Sequence, residues 1–228
     1  MKKEIVSIHT HSFDSLLDGM IRPNELVDRT LELGQVASCI TDHGNMYSII
    51  DHFLYAESKG QKAIAGFEAY MVNNYKIKDK NEAKSETEVK RQHMVLLAMD
   101  NDGYKRLCKI CSIGMTEGFY YRPRIDNSVL EDIGTKGILG TSACIAGGIS
   151  QLLLKDNIEE AEKLVKYYSK LFNGNFYLEI QPTIEKEQVK VNKGLIELHK
   201  KIGVPIIATS DAHYLYSLDS QTHDVLLA

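Results

Sequence analysis

The feature that most constrains this chain is an unbroken alternation of short β-branched runs with longer amphipathic stretches. Seven runs read as strands: EIVSIH (4–9), VASCIT (36–41), KAIAGFEAY (62–70), HMVLLA (93–98), GILGTS (137–142), NFYLEIQ (175–181) and VPIIATS (204–210). Helical patterns with legible ends lie between them. Pro23 opens one and Gly34 follows its end; another spans 47–59 and stops at Gly60. Residues 157–172 place Ile158, Ala161, Leu164, Val165, Tyr168 and Leu171 along one face, and a further helix over 185–202 stops at Gly203. Such alternation predicts an α/β fold with a largely parallel sheet, a pattern shared by open doubly wound sheets and closed barrels. With 228 residues, 43% of them hydrophobic and 25% charged, the chain can bury a full core without disulfide staples and is not a disordered polymer.

The net charge of −4 excludes wholesale electrostatic binding of nucleic acid, so any DNA contact must be local. Glu4, Ser7, His9 and His11 interrupt the start of the chain where a signal peptide would be apolar, and no window reaches the length of a membrane span. A cytoplasmic location without membrane contact is expected. Cys108 and Cys111 form a C-x-x-C pair, but no second pair completes a zinc site; in the amphipathic KRLCKICSIG stretch they read as small buried hydrophobes. Two segments break the alternation. Residues 73–92 are densely charged with both signs mixed, which predicts a solvated insertion or mobile loop, and 118–126 (GFYYRPRID) are aromatic and basic.

Ligand-type side chains gather at the strand boundaries. The first run enters His9-Thr10-His11, whose two imidazoles share one side of an extended segment. The second enters Asp42-His43, the third reaches Glu68, the fifth leads to Cys144, and the seventh to Asp211-Ala212-His213; Asp18 follows the first by a short loop. In parallel α/β folds the carboxyl ends of the strands converge on one site. His93 is the exception, because it precedes its strand. Imidazoles suit Zn²⁺, Mn²⁺ or Fe²⁺, carboxylates can bridge two ions, and a thiolate adds a soft ligand. Two or three close ions can activate water and clamp both oxygens of a phosphate ester, so phosphoester hydrolysis is the natural reaction, with proton abstraction and amide hydrolysis also open. A Cys144 nucleophile with one histidine base would leave four histidines without a role, and the glycines match neither common phosphate-binding loop. His52, His199 and His223 read as surface or hydrogen-bonded residues.

Together HTHS-x4-LDG, TDHG, GFEAY, H-x-VLLA, GYKRLCKICS, GFYYRPRID, TSACIAGG, FYLEIQ and ATSDAHY resemble the PHP (polymerase and histidinol phosphatase) domain, and more narrowly its replicase branch, at the amino terminus of bacterial DNA polymerase III alpha subunits. The resemblance covers the chain from Ile5 to Ala228 and implies a distorted (β/α)7 TIM-like barrel forming a single PHP domain over 1–228, cut short at its C-terminal end and without polymerase domains. It implies two to three divalent ions (Zn, Mn or Fe): one on His9, His11, Glu68 and Asp211, a second on Glu68, His93 and Cys144, and a third on Asp18, His43 and His213. Glu68, Asp211 and His213 would be catalytic, with Arg122 and Arg124 as phosphate contacts. The implied activity is a metal-dependent 3′–5′ exonuclease used in proofreading, and the implied partners are a DNA 3′ end, the remaining polymerase domains and other replisome subunits. A metal-stabilised scaffold without turnover and a free-standing small-molecule phosphatase are the alternatives.

Overall fold

The structure, a computed structural model, describes residues 5–78 and 91–228. Six of the seven expected runs form strands: β1 (Ala37–Ile40), β2 (Lys62–Met71), β3 (Gln92–Ala98), β5 (Ile138–Thr141), β6 (Phe176–Ile180) and β7 (Ile206–Ala208). The seventh, β4 (Arg124–Ile125), comes from the aromatic and basic segment and pairs with the end of β2. Sheet order is β1-β2-β3-β5-β6-β7 with β4 beside β2. The short β1 and the second half of β2 are buried throughout, so Ser38 and Glu68 lie inside together with their apolar neighbours.

Local chemistry sets the helix ends. Pro23 starts α1 (Pro23–Glu32), and α2 (Ile49–Ser58) stops before Gly60 at φ 68°. The Asp100 carboxylate caps α3 (Asn101–Thr116) by accepting from the Gly103 N–H at 2.7 Å, and Asp126 caps α4 (Asn127–Ile133) through the Ser128 N–H. Beyond α5 (Gly148–Leu154) and α6 (Ile158–Leu171), α7 (Lys186–Ile202) ends on left-handed Gly203. A last helix, α8 (Ser220–Leu227), follows the loop after β7. The largest core lies between sheet and helices, with Phe67, Leu96, Leu107, Ile138, Phe172 and Phe176 at its centre.

Two features depart from the expected pattern. First, β3 is antiparallel to both neighbours, β2 and β5, while the remaining pairs are parallel. The amino end of β3 therefore lies at the carboxyl ends of β2 and β5, which accounts for His93. Of the polar stretch 73–92, residues 79–90 lie outside the described residues, and Gln92 already belongs to β3.

Second, the run expected over 4–9 forms no strand over its described residues. The Ser7 N–H donates to the Gln35 side chain and not to a neighbouring strand. Backbone pairing begins only at its end, where residues 8–12 fill a seam between the two edges of the sheet. The His11 N–H donates to Ala212 O (2.8 Å) beyond β7, and the Thr41 N–H beyond β1 donates to Thr10 O (2.8 Å). The curled sheet and this seam make a distorted barrel of the TIM-like (β/α)7 type, with the loops that carry the candidate site residues at one end.

Candidate metal centre

The seam places the H-x-H pair inside the barrel mouth, where His9 and His11 are both fully buried. His9 Nε2, His11 Nε2 and Asp211 Oδ1 lie 3.1–3.2 Å from one another. Glu68, on the buried half of β2, stands at the middle of the cluster: Oε1 is 3.3 Å from His9 Nε2 and 3.0 Å from His93 Nδ1, and Oε2 is 2.6 Å from His43 Nδ1. Cys144 Sγ lies 3.6 Å from His93 Nδ1 and 3.9 Å from Glu68 Oε1. His43 Nε2 meets Asp18 Oδ2 at 2.8 Å, with His213 Nε2 at 3.4 Å from the same oxygen. All nine expected ligands thus come together.

These contacts have the character of converging ligands more than of finished hydrogen bonds. His43 Nδ1 and Glu68 Oε2 are 2.6 Å apart, yet both are buried atoms without a well-directed hydrogen bond, and Asp211 Oδ1 is buried in the same condition. Donor atoms at about 2.0–2.2 Å from a shared ion stand roughly 3.0–3.5 Å from each other, which is the spacing of His9, His11 and Asp211. Three subsets present their atoms to a common point: His9, His11 and Asp211; His43, Glu68 and His93; and His11, His43 and His213. The residues therefore fit divalent metal ions.

Electrostatics agree. Burial alone would lower His9, but the Glu179 and Asp211 carboxylates outweigh it and hold the ring well above its ordinary value. Burial works against His43 as well, yet Asp18 and Glu68 raise it to about 9. His213 is raised by Asp18 and Asp211 against its burial. His11, where burial dominates, falls to about 4. Glu68, Asp18 and Asp211 are all held below the usual carboxylate range despite burial, by the surrounding histidines. Burial, then Glu68 and Asp211, push the Cys144 thiol well up. Without metal the cluster is thus balanced by protons on imidazoles, and a cation is their natural replacement.

The backbone is bent to aim these groups. Asp211 itself (φ 50°), Leu17 before Asp18 (φ 63°) and Ala143 before Cys144 (φ 55°) occupy the left-handed region that side chains disfavour.

The two arginines fall apart in role. Arg124 is buried, and its guanidinium donates to the carbonyls of Gly118 (3.0 Å), Tyr75 (3.0 Å) and Ile77 (2.8 Å), tying down loops instead of facing the cluster. Arg122 is exposed beside the mouth, and its charge reaches the phenol of Tyr70, whose ring lies 5.3 Å from His93 and 5.8 Å from His43. Of the histidines set aside, His52 hydrogen-bonds Ser38 Oγ and His199 the Val204 carbonyl. His223 sits closer than expected: it contacts Asp18 O at 2.8 Å, which steadies the Asp18 loop. Cys111 packs against the core and Cys108 is half-buried; neither joins a metal-type cluster among the described residues. Sequence reasoning missed Glu179, a carboxylate in an otherwise apolar strand, and left Asp42 without a role; both are buried behind the histidines. Among the described residues no helix is long and apolar enough to cross a membrane.

Comparisons with known proteins follow the same line. The chain is 36% identical over 226 residues to the DNA polymerase III subunit alpha of Borreliella burgdorferi, covering 99% of this chain and 19% of that protein. It is 37% identical over 230 residues to the DNA polymerase III subunit alpha of Aquifex aeolicus, covering 100% of this chain and 20% of that protein. The chain thus spans about a fifth of the length of the curated relatives it matches. Among solved structures, an amidohydrolase from Chromobacterium violaceum shares the fold, with a TM-score of 0.53 and 13% identity over 97% of this chain and 96% of that one. The model of the PHP domain matches residues 7–183, from the seam through the H-x-H pair to the end of β6. By that match, the chain belongs to the PHP domain family.

Proposed function

We propose that this chain is the PHP domain of a bacterial DNA polymerase III alpha subunit, and that it hydrolyses the 3′-terminal phosphodiester of DNA as a proofreading exonuclease. The observation that carries the reading is the convergence of His9, His43 and His93 on the two oxygens of Glu68, with Asp211, Asp18, Cys144, His11 and His213 closing around them. On this reading His9, His11, Glu68 and Asp211 hold one ion, Glu68, His93 and Cys144 a second, and Asp18, His43 and His213 a third, drawn from Zn, Mn or Fe. Bound ions would activate water near neutral pH and offset charge developing on the phosphate. Glu68, with His9 and His93 at one oxygen and His43 at the other, would contribute to holding two of these ions. Asp211, bent into the left-handed region, brings its Oδ1 to both rings of the H-x-H pair. His213 donates from Nδ1 to the Asp211 carbonyl (2.9 Å), which turns its Nε2 toward Asp18 at the open side of the site. Arg122, exposed at the mouth, takes a phosphate of the approaching strand. The partners are a DNA 3′ end, the remaining polymerase domains and other replisome subunits.

A second reading, a metal-stabilised scaffold without turnover, is favoured by the seam: the residues that join the two sheet edges carry His9 and His11, so metal would lock the barrel shut. The deciding experiment is elemental analysis of protein purified without chelators, followed by a nuclease assay on 3′-labelled DNA beside a small phosphomonoester. Two to three equivalents of metal with release of 3′ nucleotides supports the exonuclease. Metal without turnover leaves the scaffold, and fast hydrolysis of the phosphomonoester alone returns the reading to a phosphatase.

A further inference from the structure

Behind the H-x-H pair stand two buried carboxylates outside the nine-residue set, Glu179 and Asp42. Glu179 Oε1 accepts from His9 Nδ1 at 2.6 Å and from Thr209 Oγ1 at 2.5 Å, while Oε2 accepts from Thr141 Oγ1 at 2.5 Å. Its own N–H donates to Ser142 Oγ at 2.8 Å. A carboxylate so placed accepts only, so when the His9 ring is neutral, as a metal ligand must be, it keeps its proton on Nδ1 and presents the lone pair of Nε2. Asp42 accepts from the Ser12 N–H (2.6 Å), Ser12 Oγ (2.7 Å) and Ser15 Oγ (2.8 Å). Ser15 has one hydroxyl proton, and Asp42 takes it. Toward His11 Nδ1, 3.0 Å away, the Ser15 oxygen can therefore only accept, which puts the His11 proton on Nδ1 as well. Both Nε2 lone pairs then face the same point, 3.1 Å apart and each about as far from Asp211 Oδ1.

We propose that Glu179 and Asp42 are positioning residues that select the tautomer and orientation of His9 and His11 for metal, Glu179 directly and Asp42 through Ser15. The inference rests on the metal reading of the site. It explains why a strand as apolar as β6 carries one carboxylate, held by hydroxyls from β5 and from just beyond β7, and why a serine separates Asp42 from His11. Partners of this kind raise the basicity of ligating histidines, and losing them costs about 10–100-fold in metal affinity.

The test is Zn²⁺ titration of the 228-residue chain against a chromophoric chelator, with long-range ¹⁵N–¹H spectra of the histidine rings in the Zn²⁺-loaded protein. Glu179→Leu and Ser15→Ala are expected to weaken Zn²⁺ binding about 10–100-fold and to abolish the Nδ1–H signature of His9 and His11 respectively. Glu179→Gln, which keeps an accepting oxygen, is expected to restore the His9 signature and most of the affinity. Folded variants whose affinity stays within about twofold of the parent, with unchanged ring signatures, would overturn the proposal while leaving the metal site standing. Should Glu179→Leu not fold, Ser15→Ala decides the relay and Glu179→Gln the direct contact. A parent chain that takes up no Zn²⁺ would overturn both this proposal and the metal reading.

Discussion

His93 Nδ1 lies 3.0 Å from Glu68 Oε1 although the two residues sit near opposite ends of their own strands. The antiparallel register of β2 and β3 pairs His93 with Tyr70, two residues beyond Glu68, so the first turn of one strand meets the last turn of the other. Removing the carboxylate at this junction leaves four histidines facing one another. Glu68→Gln is therefore expected to lower metal affinity by more than the roughly 100-fold upper range of an indirect partner, and to abolish nuclease turnover with it. His52→Ala should change neither metal content nor turnover. Elemental analysis after dialysis checks both, and a Glu68 variant with full metal content would refute the ligand assignment.

Metal uptake should release protons. His9, His43 and His213 are held above the ordinary imidazole value, with His43 at about 9, and the Cys144 thiol is raised too, so each must give up a proton to become a ligand. Affinity for Zn²⁺ is expected to rise at least about tenfold per pH unit between pH 6 and 7.5. Calorimetric titration in buffers of different ionisation enthalpy counts the protons directly; a flat pH dependence would show that the rings are already neutral.

Strand direction marks the limit of what could be read from residue order. Hydrophobic runs located β1, β2, β3, β5, β6 and β7 within a few residues, since burial on both faces leaves a plain apolar signature. Direction leaves no such mark. A clue existed nonetheless: a parallel crossover normally carries a helix, and residues 73–91 have no apolar periodicity to form one. The run at 4–9 reads as a strand because Ile5, Val6 and Ile8 are β-branched, but pairing depends on neighbours, and among the described residues Ala212 and Thr41 meet the backbone only from His9 onward. Eight of the nine residues of the cluster lie at carboxyl strand ends or in nearby loops, so their gathering was legible from residue order. Glu179 was not, because a single carboxylate in FYLEI gives no hint of the hydroxyls that converge on it.

Arg122 and Arg124, two positions apart, should separate cleanly. Arg124→Met strips donors from three carbonyls and is expected to cost about 2–3 kcal/mol of stability in urea unfolding. Arg122→Ala, at an exposed site, should stay within about 0.5 kcal/mol. Its effect belongs to substrate: about tenfold slower DNA hydrolysis and a salt slope shallower by about one. Equal losses of stability in the two variants would contradict this division.

His52 gives the fold an acid-sensitive point away from the cluster. Burial lowers its value to about 4 against 6.5 in an unfolded chain. Below pH 6.5 the unfolded chain binds a proton that the folded protein refuses until about pH 4, so stability from this group is full above 6.5 and falls as the pH drops toward 4. At pH 4.5 the loss is about 2–3 kcal/mol. His52→Gln should remove that much of the difference between unfolding midpoints at pH 7.5 and 4.5; an unchanged difference would place the acid sensitivity elsewhere.

The seam also dictates an order of events during synthesis. Ser7 and Ser210 share a hydrogen bond across 203 positions of sequence, and His11 is clasped by Ala212 beside them. A ribosome would present the first two imidazoles long before Asp211 and His213 exist. Those early ligands must wait, unlocked, while every intervening strand is laid down. On the proposed reading the metal centre is therefore complete only once Asp211 and His213 have been made, and a chain halted short of them would carry its early histidines but no centre.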